Sequence, residues 1–552
     1  MRFLAYFTLP VLALAAAMLA PPAAFARSGP AVVQFAGAAG NNKAAGSEQA
    51  VLERGRYLAI ASDCGACHTV KHPISGQPFA GGYIFNLPIG QIVSSNITPS
   101  RQFGIGSWSE DDFARAIREG IAPDGTHLYP AMPYTDYSLM TDDDIHALYV
   151  YFMRGVAPVD TVPAVQTGMK FPFNFRAGLA LWNMLFLNNK RFEPDPAVTM
   201  QVNRGRYLVD GPAHCGTCHT PRNFLMAESK RNYLAGAVVG GWWAPNLTSD
   251  PVGGLGGWSD QEIVTYLKTG HVRNKSQANG PMAEAVEYSF RYMKESDLKA
   301  IAAYIKTVPP LPTKGQITPA FAAHKPIDTD FTQYEFPLAG SAAPYSSVSS
   351  TVNGAVLYNT ACAACHGANG QGADDDSSPS LLQNRAVGVA NADSLIMTIA
   401  YGLERNGADR KYSMPGFLAS TNPIFDAMNE EQIAAVVNYV RNNFGNNDEK
   451  ITAAEVKTVL GGGKMPFLIK HAVLLTIIGG IIVLLILLWL VRCLIWRGRR
   501  RRTVRVRHRR HEQTAIGKGA RRAEPHRQKI MTGAETGAKA VLKKKPGAKQ
   551  KK

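Results

Sequence analysis

Cys64-Gly65-Ala66-Cys67-His68, Cys215-Gly216-Thr217-Cys218-His219 and Cys362-Ala363-Ala364-Cys365-His366 are three copies of one pentapeptide, C-x-x-C-H. The chain has seven cysteines in 552 residues, and only Cys493 stands outside these copies. Two thiols at this spacing followed directly by a histidine are the attachment signal for haem c. The thiols form thioether bonds to the porphyrin vinyl groups, and the histidine becomes the proximal iron ligand. Zinc would need further Cys or His at ligand spacing. A redox dithiol or a structural disulfide leaves the histidine after every pair without a purpose. The motifs predict three covalently bound haem c groups, attached at Cys64 and Cys67, Cys215 and Cys218, and Cys362 and Cys365, with His68, His219 and His366 on the irons.

Working outward, Arg54-Gly55-Arg56-Tyr57-Leu58 precedes the first copy and Arg204-Gly205-Arg206-Tyr207-Leu208 the second. Downstream, Asn96-Ile97-Thr98 recurs as Asn246-Leu247-Thr248, Trp108-Ser109 as Trp258-Ser259, and Gly120 as Gly270, each at an offset of 150. This is a duplicated domain. The third copy follows Gly354-Ala355-Val356-Leu357-Tyr358 and belongs to a more compact, more divergent unit.

The repeat also bears on the second iron ligand, and a His/Met pair raises the iron potential. Candidates in the first unit include Met132, Met140, Met153 and His127; at the same offset stand Met282, Phe290, Ala303 and Gln277. Only Met132 is matched. Met132-Pro133 and Pro281-Met282 are expected in loops between helices, and Met414-Pro415 is the candidate in the third unit. Met414 lies 49 residues after Cys365, against 65 and 64 for Met132 and Met282 after Cys67 and Cys218. Methionine is commonly core filler, and Met397 and Met428 are the rivals of Met414.

Thr141 with Asp144, Asn429 with Gln432, Ser109 with Asp112 and Ser259 with Glu262 read as helix caps, and Ser296 as the start of a helix over 298–305. Few alternating strands are visible. The apolar stretch 173–187 reads as packing between domains rather than a partner-docking surface. Residues 308–350, rich in Pro, Ala and Ser, read as an extended linker.

The charge of +17 (59 Lys plus Arg, 42 Asp plus Glu) is not spread along the chain. Residues 497–552 hold 21 basic and 3 acidic residues, so the remainder is near neutral. A nucleic-acid reading would therefore concern the tail alone. The tail's basic runs contain no aromatic residue for base stacking, so binding of anionic lipid is favoured and no specific nucleic acid is expected. At the other end, Met1-Arg2, an apolar run to Leu19 and Ala24-Phe25-Ala26 read as a cleaved signal peptide rather than an uncleaved anchor. Residues 472–491 carry no charge, long enough for a membrane-spanning helix, with Trp489 and Trp496 at its border and arginines beyond. By the positive-inside rule the haem domains lie on the periplasmic side of the inner membrane and the tail in the cytoplasm.

The expected fold is mainly α: three tandem cytochrome c-like haem domains plus one C-terminal transmembrane helix. The expected boundaries are a signal peptide 1–26, cytochrome domain one 48–160, a linker 161–200 and domain two 201–310. A Pro/Ala/Ser-rich linker 311–350, domain three 351–446, a transmembrane helix 470–496 and a basic cytoplasmic tail 497–552 follow.

The C-x-x-C-H copies, NITPSRQFGIGSWSEDDFARAIREG (96–120), YPAMPYTDYSLMTDDDIHALYVYF (129–152) and GPMAEAVEYSFRYMKESDLKAIAAYIKTVP (280–309) resemble the triple-haem cytochrome c subunit of membrane-bound dehydrogenases, over roughly residues 50–450. Alcohol, gluconate and sorbitol dehydrogenases have such subunits. The resemblance implies an electron-transfer subunit taking electrons from a separate catalytic subunit, which is quinone-, flavin- or molybdenum-dependent, and passing them to ubiquinone or the respiratory chain. It also implies Met132, Met282 and Met414 as the distal ligands. The full C-terminal span and long basic tail depart from the family's usual attachment by amphipathic helices, and no quinone-site residue is carried over. The competing class is a haem peroxidase or oxidase, which would need an iron with an open sixth position.

Overall fold

The computed structural model describes residues 42–70, 77–322, 352–407, 410–418 and 427–519. The expected signal peptide 1–26, most of the linker 311–350 and the end of the tail lie outside the described residues.

Each C-x-x-C-H copy follows a leading helix that is crossed by a closing helix further along the chain. Asn42–Ala61 meets Asp142–Val150, Met200–Asp210 meets Glu295–Ile305, and Gly354–Ala361 meets Glu430–Phe444. All three crossings share one device. A Cβ on Gly55 would lie 1.9 Å from the carbonyl oxygen of Ala147, one on Gly205 1.9 Å from that of Ala300, and one on Gly354 2.2 Å from that of Ala435. Tyr151, Tyr304 and Tyr439 flank the same three contacts. Only glycine lets two helix backbones approach so closely.

Beneath each crossing lies an apolar cluster. Leu58, Phe113, Met140, Leu148 and Phe152 belong to the first, Leu208, Trp258, Ile263, Leu298 and Ile301 to the second, and Leu357, Ile396, Val436, Val437 and Phe444 to the third. The third cluster reaches beyond residue 446, because Val456 and Val459 of the helix Ala453–Leu460 are buried in it.

Local chemistry sets the helix ends. Ser109 with Asp112, Ser259 with Glu262 and Asn429 with Gln432 form complete capping boxes, and the Thr141 hydroxyl accepts from the Asp144 N–H. Ser296 is no cap. The helix Glu295–Ile305 starts earlier, after Lys294, with no side-chain cap. Strands among the described residues are two to four residues long and pair antiparallel, as in Ala237–Val239 with Trp242–Ala244 and Leu403–Asn406 with Lys411–Met414.

The RGRYL repeat acquires a meaning that the sequence did not disclose. Arg54 Nε donates to Asp144 Oδ1 at 2.6 Å, and Arg204 donates to Asp297 at 2.9 and 2.7 Å, each within its own unit. The tyrosines cross over. Tyr57 Oη donates to Asp297 Oδ2 at 2.6 Å, and Tyr207 Oη donates to Asp144 Oδ2. The first two units are therefore clasped by the same bond made twice, each carboxylate held by its own arginine and by the other unit's tyrosine.

The stretch 173–187 departs from its expected burial. Its helix Ala177–Phe186 buries only Asn183, which donates to Glu119 O and accepts from Tyr134 Oη. Leu181, Met184 and Leu185 stay exposed, Met184 to 72%. Polar bonds hold the helix in place and leave its apolar side uncovered.

The helix Ala472–Gly519 has an apolar stretch of mean hydropathy 3.1, none of it buried, and continues past the expected end at 496 into the arginine-rich segment. By length and composition it can cross a membrane.

Gly205→Ala should force the crossing apart and cost about 1–3 kcal/mol or more, the usual range for overpacking, read as a lowered urea midpoint. Tyr207→Phe should cost about 1.5–3 kcal/mol, as for a hydrogen bond to a charged group. It should add little once Asp144→Ala is present, which a double-mutant cycle measures.

Candidate haem-attachment sites

Each C-x-x-C-H histidine is turned the same way. His68 Nδ1 donates to Ser95 O at 2.7 Å, His219 Nδ1 to Pro245 O at 2.6 Å, and His366 Nδ1 to Pro379 O at 3.0 Å. A carbonyl oxygen only accepts, so Nδ1 carries the proton and Nε2 keeps its lone pair for a metal. Burial pushes all three imidazoles below the usual histidine range, His219 to about 4. They are neutral at neutral pH, the form that ligates iron.

The accepting carbonyls explain the N-x-T repeat. Asn96 Oδ1 accepts from Thr98 N and Oγ1, while its Nδ2 donates to Val159 O and Thr161 O. Asn246 does the same with Thr248 N and with Leu311 O and Thr313 Oγ1. Both asparagines pin the loop just after the carbonyl that orients the histidine, and tie it to the segment leaving the unit.

No two of the cysteines are joined as a disulfide. Burial raises the thiols of Cys64 and Cys362 to about 12 and Cys218 to about 11. Such protonated groups are unlike the thiolates of redox dithiols. Among the described residues no three His, Cys, Asp or Glu side chains gather as a metal cluster.

The predicted ligands fall on the three clusters in one pattern. Cys64 and Met132 both pack against the first, Cys215 and Met282 against the second, and Cys362 and Met414 against the third. In the second unit Cys215, Cys218, His219 and Met282 line a single cavity. Met282 stands in the first turn of the helix Gly280–Tyr288, not in a loop, and Met414 ends a strand. The rivals Met397 and Met428 are buried core side chains of the third cluster, and Met140 is a fully buried one of the first.

The second cavity also fits a haem by the chemistry of its walls. It is lined mainly by apolar and aromatic groups, including Trp242, Leu247, Leu255 and Ile301. Two buried indole donors, Trp243 Nε1 and Trp258 Nε1, border it without a protein acceptor. An apolar slot ending in unused donors suits a flat hydrophobic group with acidic arms.

Several contributors escaped the sequence. Tyr137 Oη donates to Ser62 O at 2.8 Å, and its ring sits edge-on to His214 at 5.7 Å, so it joins the segments preceding Cys64 and Cys215. Thr217 Oγ1, inside the second motif, donates to Asp136 Oδ2 at 3.0 Å. Burial, then the nearby Glu228, hold the Asp136 carboxyl above the usual carboxylate range. Only proximity to known motifs could have hinted at these.

Comparison with known proteins identifies the family. The family model described as Cytochrome c matches residues 202–309 and 351–444. The fructose dehydrogenase cytochrome subunit of Gluconobacter japonicus is 43% identical over 450 residues, covering 80% of this chain and 90% of that one. The cytochrome c subunit of the quinone alcohol dehydrogenase of Gluconacetobacter polyoxogenes is 40% identical over 422 residues, 74% of this chain and 84% of its own. The gluconate 2-dehydrogenase cytochrome c subunit of Pantoea cypripedii is 37% identical over 424 residues, 75% and 90%. This chain belongs to the family of cytochrome c subunits of membrane-bound dehydrogenases, a haem c electron-transfer protein whose complex places catalysis in a partner subunit.

Proposed function

We propose that the subunit carries three haem c groups in three tandem cytochrome domains, near the boundaries 48–160, 201–310 and 351–446, the last extended to about residue 460. Cys64, Cys67, His68 and Met132 hold the first haem, and Cys215, Cys218, His219 and Met282 the second. Cys362, Cys365, His366 and Met414 hold the third. When bound, each haem supplies a one-electron ferric–ferrous couple.

The observation that carries this reading is the threefold recurrence of one construction. A glycine-seated helix crossing, a histidine whose Nδ1 donates to a backbone carbonyl, and a cysteine and a methionine on one apolar cluster occur together in every unit. A methionine on the same apolar cluster as the first cysteine of each motif would supply the sixth iron ligand, which speaks for electron transfer over peroxidase chemistry. The protein's part is to fix each iron, exclude water from it and set its potential through the axial pair.

Electrons come from a dehydrogenase partner on the periplasmic side and pass to ubiquinone or the respiratory chain. Fructose, alcohols and gluconate, named for the relatives, all bear hydroxyl groups, which supports a hydroxyl-bearing substrate for the partner. The apolar helix anchors the subunit in the inner membrane with the basic tail in the cytoplasm, supported by the arginines that follow it.

A pyridine haemochrome assay should give three haems per chain, and Cys215→Ala with Cys218→Ala should leave two; one haem, or an unchanged count in that variant, contradicts the reading. Replacing Met132, Met282 or Met414 singly by Ala should keep all three haems and lower one midpoint potential in each case. Three unchanged titration curves would overturn the choice of distal ligands.

A further inference from the structure

Arg385 begins the short helix Arg385–Gly388 of the third unit, yet its side chain borders the cavity of the second, beside Tyr266 and His219. It is 7% exposed. Its backbone N–H donates to Lys275 O at 2.8 Å, and Nη2 donates to Asn246 O and Gly253 O, both at 2.9 Å. The guanidinium carbon lies 5.9 Å from the centre of the Trp258 ring. Every one of these partners is neutral. Burial pulls the group down to about 10, opposed by Tyr266 and by no carboxylate.

A buried cation is normally compensated by an opposite charge. Here the same cavity wall holds the two indole N–H groups of Trp243 and Trp258, which also lack an acceptor. One cation and two unused donors around one cavity call for an anion on the group that binds there. Haem carries two propionate arms, and a planar guanidinium suits a carboxylate.

We propose that Arg385 binds a propionate of the haem attached at Cys215 and Cys218, aided by the Trp258 indole, so that the third unit supplies the counter-charge of the second haem. This rests on the reading of Cys215–His219 as an attachment site. The arginine is held ready by its neighbours: Asn384 caps its helix through Ala386 N and donates to Ser380 O, and the Gly388 backbone packs on Ala320 O. Its positive charge favours the reduced iron, so the second haem's potential depends on correct seating of the third unit.

The test is a spectroelectrochemical titration of the full-length, haem-loaded protein in detergent. Arg385→Gln should lower one midpoint potential by about 59 mV, the one-electron equivalent of a tenfold change in the reduction equilibrium, and leave the other two in place. The wave that moves should be the one moved by Met282→Ala. Arg385→Lys should recover most of the loss, and Trp258→Phe should shift the same wave downward by a smaller amount. If Arg385→Gln does not accumulate, these last two variants carry the test. Three unmoved potentials in variants with full haem content overturn the role of Arg385, as does movement of the wave assigned to Met414. A chain without haem at Cys215 and Cys218 overturns both this inference and the site reading beneath it, and the haem count separates that outcome from the others.

Discussion

The carbonyl oxygens of Ala147, Ala300 and Ala435 occupy the places where side chains on Gly55, Gly205 and Gly354 would begin. A glycine inside a helix costs about 0.5–1 kcal/mol relative to alanine; the cost is accepted at Gly55 and Gly205, while Gly354 opens its helix, because the rest of each unit depends on the contact. The leading helix delivers C-x-x-C-H within five residues of its C-terminal end, and the closing helix returns the chain across it. With the two helices locked, the cysteine pair and its histidine have a fixed origin. The loop anchored by Asn96 or Asn246 can then present Ser95 O or Pro245 O to the imidazole. That carbonyl fixes the ring's orientation and leaves Nε2 unprotonated, the form in which a histidine nitrogen can take a metal.

What the sequence disclosed about this arrangement was the local part. Capping boxes at Ser109, Ser259 and Asn429 join residues three apart, so composition suffices to read them. The apolar segment after residue 472 is legible for the same reason. Ser296 misled because a serine near a helix start resembles a cap, whereas the acidic first turn Glu295 and Asp297 already suits the helix dipole one step earlier. Met282 was singled out by register alone, and the loop expected around it is a helix turn with proline at its start, a position proline favours. The histidine acceptors were invisible because every residue owns a carbonyl. Tyr57 and Asp297 are 240 positions apart, and Arg385 acts 139 positions from Asn246, so no pattern within a window could pair them.

The helix Ala177–Phe186 shows the opposite failure. Apolar content argues for burial, yet three polar bonds from Trp182 and Asn183 suffice to fix it on the surface. Trp182 Nε1 reaches Leu225 O, which brings the exposed Phe224 and Met226 into the same region. Hydropathy counts side chains but not the faces that the neighbouring units leave uncovered.

Rigidity between units is where the structure says most about electron transfer. An enzyme that must close on a substrate draws its moving parts from weakly held loops, and a relay has no substrate to close on. Accordingly the middle unit is fastened on both sides by directional bonds. Tyr57–Asp297, Tyr207–Asp144 and Thr217–Asp136 hold it to the first unit. Asn279 with Thr398 Oγ1, Trp243 with Ser394 and Arg385 with Asn246 hold it to the third. Three of the six, those of Asp297, Asp144 and Arg385, place a carboxylate or a guanidinium in a poorly solvated setting, where charge-assisted hydrogen bonds are shorter and stronger than neutral ones. A slip at either interface would leave a buried charge without its partner. The separation between the C-x-x-C-H copies is therefore protected by the same groups that the interfaces bury, and the middle copy is the one on which both interfaces converge.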